Sequence, residues 1–235
     1  MHRTNLEYNL CESNRISFLN HCTPTQAQEV EDTKVCHAYK KGEQIFNESA
    51  IPLGVYCVIS GVVKLVRTNL DGKEQILRFA QPGDVLAYRA LIANEPLVSS
   101  AVCIENAVVC FIPKNVFFKI IEENTAISKE LLKALSHGLG VAEERVQSLA
   151  QKSVRERLAE ALLFLYETFK SNNLEKDVIA ITLPREDIAN IVGTATETVI
   201  RLLSEFKTDK LIELDGKKIK LLDKAKLEKI SRASV

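Results

Sequence analysis

The sequence lacks the segments that would insert a protein into a membrane or direct it out of the cell. No apolar run approaches the roughly 18 residues that a membrane-spanning helix needs. The N-terminal stretch MHRTNLEYNLCESN contains no apolar core of a secretory signal peptide. These absences argue against a membrane protein and a secreted one, and we predict a cytoplasmic protein with no membrane partner.

Metal-binding cysteine spacing is also absent. None of the six cysteines belongs to a CxxC pair, so the spacing indicates neither a zinc site nor a dithiol redox centre. Because disulfides are rare in the cytoplasm, we expect these cysteines to be mostly reduced.

The chain has no net charge. Lysine and arginine together number 31, as do aspartate and glutamate. Nucleic-acid-binding proteins usually carry an excess of basic residues. A DNA-binding hypothesis must therefore depend on a specific motif and not on total charge.

Regularly spaced glycines in residues 38–113 predict an all-β region. They recur every 7 to 12 residues, the spacing of turns in a β-sandwich or β-roll, at Gly42, Gly54, Gly61, Gly72 and Gly83. Apolar residues alternate along two intervening segments, which predicts strands with one buried face: Val55, Cys57 and Ile59, then Val108, Cys110 and Ile112. We predict a jelly-roll-like β-roll within an α+β fold.

A heptad pattern in residues 128–149 predicts a long helix. Its apolar positions step alternately by three and four residues, at Leu132, Leu135, Leu139, Ala142, Val146 and Leu149. A second apolar line runs beside it through Ile127, Leu131, Ala134 and Val141. We predict that one line packs on the β-roll while the other pairs with the same helix of a second copy. The alternative is a helix buried on both sides within one monomer.

The C-terminal part predicts a winged helix-turn-helix. The segment REDIANIVG has a helical apolar stripe and ends at Gly193, a suitable C-terminal cap. The next helix, residues 195–207, buries a second stripe formed by Val199, Leu202, Leu203 and Phe206. Asp215-Gly216 marks the turn of a following hairpin. Two short helices around a tight turn form the motif whose second helix enters the DNA major groove.

The exposed face of that second helix carries residues suited to contacting bases. Helical periodicity places Glu197, Ile200 and Arg201 opposite the apolar stripe. Arginine donates to guanine O6 and N7, glutamate accepts from cytosine N4, and an apolar side chain contacts the thymine methyl. The alternative is a solvated face on which Glu197 and Arg201 form an i,i+4 ion pair worth about 0.2–0.5 kcal/mol.

The segment LPREDIANIVGTATETVIRLLSEF, followed by LIELDGKKI, resembles the DNA-binding domain of the Crp/Fnr family of bacterial transcription regulators. KKGEQIF, GVYCVISGVVKL, DGKEQIL and QPGD resemble the family's cyclic-nucleotide-binding-type β-roll, and the heptad helix stands where its dimer helix does. The resemblance covers nearly the whole chain, and its ETVxR element is highly specific. It implies double-stranded DNA, a second copy of the chain and RNA polymerase as partners, and no enzyme activity.

The resemblance also implies roles for individual residues. Glu197 and Arg201 match the family's base-contacting pair. Thr198 and Arg185 match phosphate-contacting positions, and Lys217 lies at the tip of the wing.

Three positions depart from the pattern of the family. Thr196, a further candidate DNA contact, stands where the cyclic-AMP receptor subgroup has a third base-contacting arginine, so the chain is closer to the oxygen-regulator subgroup. That subgroup usually has serine at the position of Ile200, and we expect altered preference at one base pair. Pro184 replaces a common capping threonine, with Thr182 as the nearest alternative cap.

The effector of the β-roll is not predicted by the resemblance. Members that bind cyclic AMP hold it with a GE pair and a later RS pair, but the matching positions here are Ala87-Tyr88 and Val98-Ser99. Because the phosphate-binding arginine and the acid are missing, we expect no cyclic AMP. The candidate residues for another effector are Tyr88, Arg89, Ser99 and Ser100.

The cysteines do not match an iron–sulfur site either. Oxygen-sensing members hold their cluster on four thiolates, whereas this chain offers the widely spaced Cys11, Cys22 and Cys36, with His21 and His37 beside two of them. Cys57, Cys103 and Cys110 fall in predicted strands, where a buried apolar role is expected. We expect no metal or other cofactor.

These patterns predict four parts of the chain and one leading function. The parts are an N-terminal segment 1–24, a β-roll sensor domain 25–120, a dimerisation helix 121–150 and a winged helix-turn-helix 151–235. The leading hypothesis is a homodimeric, sequence-specific transcription regulator. The alternatives are an iron–sulfur or redox-sensing regulator and a sensor module acting through protein partners. For an enzyme, the sequence offers no nucleophile, base and orienting group at a recognisable spacing.

Overall fold

The computed structural model describes residues 19–169, 178–179 and 183–233. The helices within these ranges are a short 3-10 helix Leu19–His21, α1 Pro24–Thr33, α2 Tyr88–Ala93, α3 Lys114–Glu123, α4 Thr125–Gln151, α5 Val154–Phe169, α6 Arg185–Val192, α7 Thr196–Thr208 and α8 Lys224–Ser231. The strands are β1 Val35–Tyr39, β2 Gln44–Phe46, β3 Gly54–Ser60, β4 Val63–Thr68, β5 Glu74–Ala80, β6 Val85–Leu86, β7 Ser100–Cys103, β8 Ala107–Pro113, β9 Val178–Ile179, β10 Ile212–Asp215 and β11 Lys218–Leu221. No helix of this described part has the length and apolar character needed to cross a membrane.

Two four-stranded antiparallel sheets form the N-terminal β-roll. One sheet has the strand order β1-β8-β3-β6 and the other has the order β2-β7-β4-β5. Buried side chains from both sheets fill the space between them, including Val58, Leu65, Ala101 and Val109. The predicted β-roll and the α+β fold class are therefore confirmed.

The other face of the first sheet packs against helices. Val55, Cys57 and Ile112 share a second core with residues of α1, α3 and α4. Helix α4 contributes Ile127 and Leu131, which are 0% and 6% exposed. Both residues belong to the second apolar line of that helix, so the prediction that one line packs on the β-roll is confirmed for these two members.

The heptad line of α4 is exposed in the single chain. Leu132, Leu139 and Val146 are 63%, 62% and 68% exposed. Of the other three members, Ala142 and Leu149 are exposed and Leu135 is half-buried. The alternative of a helix buried on both sides within one monomer is therefore wrong.

Cys36 and Cys110 form a disulfide between neighbouring strands. They stand directly opposite each other in the β1–β8 pair. The pairing of these strands brings together two residues that are 74 positions apart in the sequence. The prediction of reduced cysteines is therefore wrong for these two. Cys57 and Cys103 are buried thiols, as predicted, and burial raises the pKa of Cys57 to about 12 and that of Cys103 to about 11.

The C-terminal residues form a second compact unit, which begins at Gly140 within α4. In this unit α5 packs against α6, α7 and α8. A three-stranded antiparallel sheet of order β10-β11-β9 supplies the wing. Its hairpin turns at Gly216, whose φ of 55° lies in the left-handed region, so the predicted Asp215-Gly216 turn is confirmed.

Candidate nucleic-acid interface

Helix α6 ends at a glycine that sets the turn of the helix-turn-helix. Gly193 is the C-cap, with a φ of 72° in the left-handed region that glycine adopts without strain. Its amide donates to the Ala189 carbonyl at 2.8 Å, which confirms the predicted cap. At the other end Pro184 is the N-cap and its side chain makes no capping hydrogen bond. The alternative cap, Thr182, lies outside the described residues.

Two arginines hold the last carbonyls of α6. Nη2 of Arg145 donates to the Ile191 carbonyl at 3.0 Å, and Nε of Arg157 donates to the Val192 carbonyl at 3.0 Å. Burial lowers the pKa of Arg145. The carbonyls at a helix C-terminus have no partner within the helix, so these bonds satisfy them and fix the position of the turn. The sequence patterns do not reveal either contact.

Helix α7 presents the predicted exposed face. Its apolar stripe is buried, with Val199 and Phe206 at 0% exposure. Ile200 is 48% exposed, and Glu197 and Arg201 are also exposed. Thr196 and Thr198 are half-buried at the beginning of the helix. The predicted orientation of the helix is therefore confirmed: an acid, a base and an isoleucine share its open surface.

Arg201 pairs with a different carboxylate from the one predicted in the ion-pair alternative. Its Nη1 donates to Oε1 of Glu205 at 2.6 Å, one turn further along α7 and not one turn back at Glu197. The carboxylate of Glu197 is therefore not engaged by Arg201. Both Glu197 and Glu205 lie four residues from Arg201, so the sequence spacing alone does not decide between them.

Arg185 joins the beginning of α6 to the wing. Nη2 of Arg185 donates to the Gly216 carbonyl at 3.0 Å, and Nη1 donates to the Lys217 carbonyl at 3.4 Å. Burial lowers the pKa of Arg185. The two residues predicted to contact phosphates outside α7, Arg185 and Lys217, are thus adjacent in the folded unit. A guanidinium carries more N–H donors than these two bonds use, so Arg185 retains the capacity to bind a phosphate.

Comparison with known proteins finds relatives along most of the chain. A family model described as cyclic nucleotide-binding domain matches residues 36–124, and one described as Crp-like helix-turn-helix domain matches residues 156–230. Electron transport regulator A of Shewanella oneidensis is 30% identical over 78% of this chain and 73% of its own length. The fumarate and nitrate reduction regulatory protein of Vibrio cholerae is 27% identical over 83% and 78%.

The chain belongs to the Crp/Fnr family. It is a transcription regulator with a helix-turn-helix DNA-binding domain. Two solved structures of the Crp/Fnr family support the fold. FixK2 of Bradyrhizobium japonicum has a TM-score of 0.74 and 25% identity, covering 86% of this chain and all of that one. A CRP/FNR family regulator of Thermus thermophilus has a TM-score of 0.72 and 26% identity, covering 85% and 100%.

Two of the four candidate effector residues in the Crp/Fnr β-roll of this chain make internal polar contacts. Nη1 of Arg89 pairs with Oε2 of Glu95 at 3.1 Å. Oγ of Ser100 accepts a hydrogen bond from the Glu48 amide at 2.9 Å. Ser99 is buried at 5% exposure, and Tyr88 is half-buried at the beginning of α2. The four residues therefore do not converge on one shared partner.

The ligand set of the Crp/Fnr oxygen sensors is not assembled from the cysteines in the described part of the chain. Cys36, one of three candidates, is bonded to Cys110. Cys22 packs against the same core as this disulfide, and Cys11 lies outside the described residues. Among residues 19–169, 178–179 and 183–233, no group of three or more cysteine, histidine, aspartate or glutamate side chains is arranged to hold a metal ion.

Proposed function

We propose that this regulator binds a palindromic duplex as a homodimer, with α7 of each copy in the major groove of one half-site. The observation that carries the proposal is the composition of the open face of α7, where Glu197, Ile200 and Arg201 are all exposed. Each can contact a different base edge. The buried stripe beneath them and the hydrogen bonds of Arg145 and Arg157 to the last carbonyls of α6 anchor this face.

Arg185, Thr198 and Lys217 are the proposed phosphate contacts that flank this face. Thr198 lies in the first turn of α7, where helix N-terminal amides favour a phosphate. Lys217 is exposed at the hairpin turn. A local cluster of this kind offsets the absence of net charge, because phosphate contacts depend on nearby cations and not on the total.

The heptad line of α4 is the proposed dimer interface. Its exposed leucines and valine form a continuous apolar stripe that repeats as in a two-stranded coiled coil. A second copy of the same helix is the occupant that such a self-complementary stripe fits. Two parallel copies would set the half-sites about one helical turn apart, roughly 34–36 Å.

The remaining assignments complete this proposal. Residues 25–120 are the proposed sensor domain, 121–150 the dimerisation helix and 151–235 the DNA-binding domain. The signal sensed by the β-roll is one other than cyclic AMP, because valine and tyrosine occupy the positions of the phosphate-binding arginine and the acid. RNA polymerase is the proposed further partner, and the cytoplasm the proposed location.

Selection from a pool of random duplexes tests the proposal. We expect enrichment of a palindrome by the wild-type protein. Arg201→Ala is expected to lose about 1–3 kcal/mol of discrimination at one guanine of each half-site, because the bidentate pair to O6 and N7 is removed. The measurement is the Kd for the selected site and its single-base variants. A pool that shows no enrichment would contradict sequence-specific binding.

Lys217→Ala is the matched control for a phosphate contact. The affinity of this variant for DNA should fall equally on all sequences. The negative slope of log K against log salt should become less steep by about 0.9 for each of the two lysines in a dimer. If Arg201→Ala gave the same uniform loss, Arg201 would be a phosphate contact and not a base contact.

Ile200→Ser tests the apolar member of the face. We propose that Ile200 contacts a thymine methyl, since its side chain is 48% exposed and cannot donate or accept a hydrogen bond. Serine should therefore relax or change the preference at one position of the half-site while the others remain. Repeating the selection with the variant measures this. An unchanged preference at every position would be incompatible with a role for Ile200 in specificity.

A further inference from the structure

A chain of charged contacts connects α5 to the exposed arginine of α7. Nη1 of Arg155 donates to Oε2 of Glu205 at 2.9 Å, and its Nη2 donates to Oδ2 of Asp209 at 2.7 Å. The other carboxylate oxygen of Glu205 accepts from Nη1 of Arg201 at 2.6 Å. Glu205 is thus shared between two arginines, with one oxygen on each.

Arg155 is itself firmly placed. Its guanidinium carbon lies 4.7 Å from the ring centroid of Phe206, which is 0% exposed. Stacking on a buried ring and forked bonding to two carboxylates one helical turn apart leave its guanidinium little freedom. Because Arg155 holds Glu205 from outside α7, the position of that carboxylate does not depend on Arg201.

The contact between Glu205 and Arg201 contributes little to folding. The two side chains are 40% and 66% exposed, and exposed i,i+4 pairs contribute about 0.3–0.5 kcal/mol. Its geometric effect is larger. With Nη1 engaged by the carboxylate, Nε and Nη2 are the N–H groups that can approach guanine O6 and N7 together.

The geometry points to Glu205, held in place by Arg155, as a positioning residue that orients the Arg201 guanidinium for guanine. This inference rests on the proposed function, in which Arg201 contacts a base. A long side chain loses rotational freedom when it is immobilised on binding, and this loss opposes affinity. A guanidinium that is already oriented avoids part of this cost for the correct base only, so Glu205 acts on specificity.

A ratio of dissociation constants separates this role from a general effect of charge. The ratio is the Kd for a site in which the guanine assigned by Arg201→Ala is replaced by adenine, divided by the Kd for the selected site. A larger ratio therefore means stronger discrimination in favour of guanine. Glu205→Ala should lower the ratio by about 1.7- to 2.3-fold, the range that corresponds to the 0.3–0.5 kcal/mol by which the pair favours the oriented guanidinium. Removal of a negative charge beside DNA also raises affinity for all sequences, but that change cancels in the ratio.

Three further variants identify the route of the effect. Glu205→Gln keeps an acceptor oxygen and should restore part of the ratio. Arg155→Met keeps apolar packing over Phe206 without the donors, and it should lower the ratio in the same direction. Glu228→Gln removes a negative charge from another helix, α8, and should leave the ratio unchanged. The ratio at the base pair assigned to Glu197 should be unaffected throughout.

A double-mutant cycle decides the inference. Glu205→Ala should have no further effect on the ratio in the Arg201→Ala background, because there is no guanidinium left to orient. A wild-type ratio for Glu205→Ala, or an equal change with and without Arg201, would overturn it. Failure of the proposed function is distinct, because the wild-type protein would then select no palindrome or Arg201→Ala would keep every base preference.

Discussion

Leu139→Glu is expected to separate the proposed dimer into monomers. The side chain is 62% exposed in the single chain, so the substitution introduces no charge into the core of the monomer. In a symmetric helix pair the same position of both copies meets at the interface, and the substitution therefore brings two carboxylates together in an apolar contact. An uncompensated buried charge costs about 3–5 kcal/mol, which corresponds to a rise of roughly 100- to 5,000-fold in the dimer Kd.

Sedimentation velocity over a range of protein concentrations measures this change directly. Affinity for the selected palindrome should fall together with dimerisation, while affinity for a single half-site should change little. Gln147→Glu is the matched control, since it adds the same charge to the same helix at an exposed residue outside the heptad line. Unchanged dimerisation of Leu139→Glu would contradict the proposed interface, provided that its circular dichroism spectrum matches that of the wild type.

The exposed face of α7 could be predicted from the sequence because it depends on local periodicity. A stripe of apolar residues at helical spacing has one buried side in nearly any packing arrangement, so the exposure of Ile200 followed from Val199 and Phe206 alone. The cap at Gly193 could be predicted for a similar reason, because glycine adopts the left-handed conformation that ends a helix. The same kind of evidence predicted the long helix α4 and its two apolar lines.

Contacts between residues distant in sequence could not be predicted in this way. Arg155 and Glu205 lie 50 residues apart, and Arg145 reaches a carbonyl 46 residues away. Their pairing depends on how α5 packs in the C-terminal unit. The helices α1, α2 and α8 were also not predicted, since they are short and their burial comes from tertiary contacts. The ion-pair partner of Arg201 is a different case, because Glu205 lies only four residues away on the same helix and its i,i+4 spacing was as available in the sequence as that of Glu197.

The disulfide between Cys36 and Cys110 is a further long-range contact, and it leads to a prediction about stability. It closes a loop across 74 residues and ties β1, an edge strand of its sheet, to β8. A cross-link over a long loop restricts the unfolded chain and stabilises the fold by about 2–4 kcal/mol. Reduction is therefore expected to lower the free energy of unfolding of the β-roll by this amount.

Denaturant unfolding with and without dithiothreitol measures this difference, with the tryptic peptides of Cys36 and Cys110 checked for the bond by mass spectrometry. Cys36→Ser should unfold at the midpoint of the reduced protein and should not respond to the reductant, which separates loss of the bond from other effects of thiols. The consequence extends to α4, because Cys110 shares its core with Ile127 and Leu131 of that helix. Equal midpoints for the oxidised and reduced wild type would show that strand pairing and core packing hold β1 without the bond.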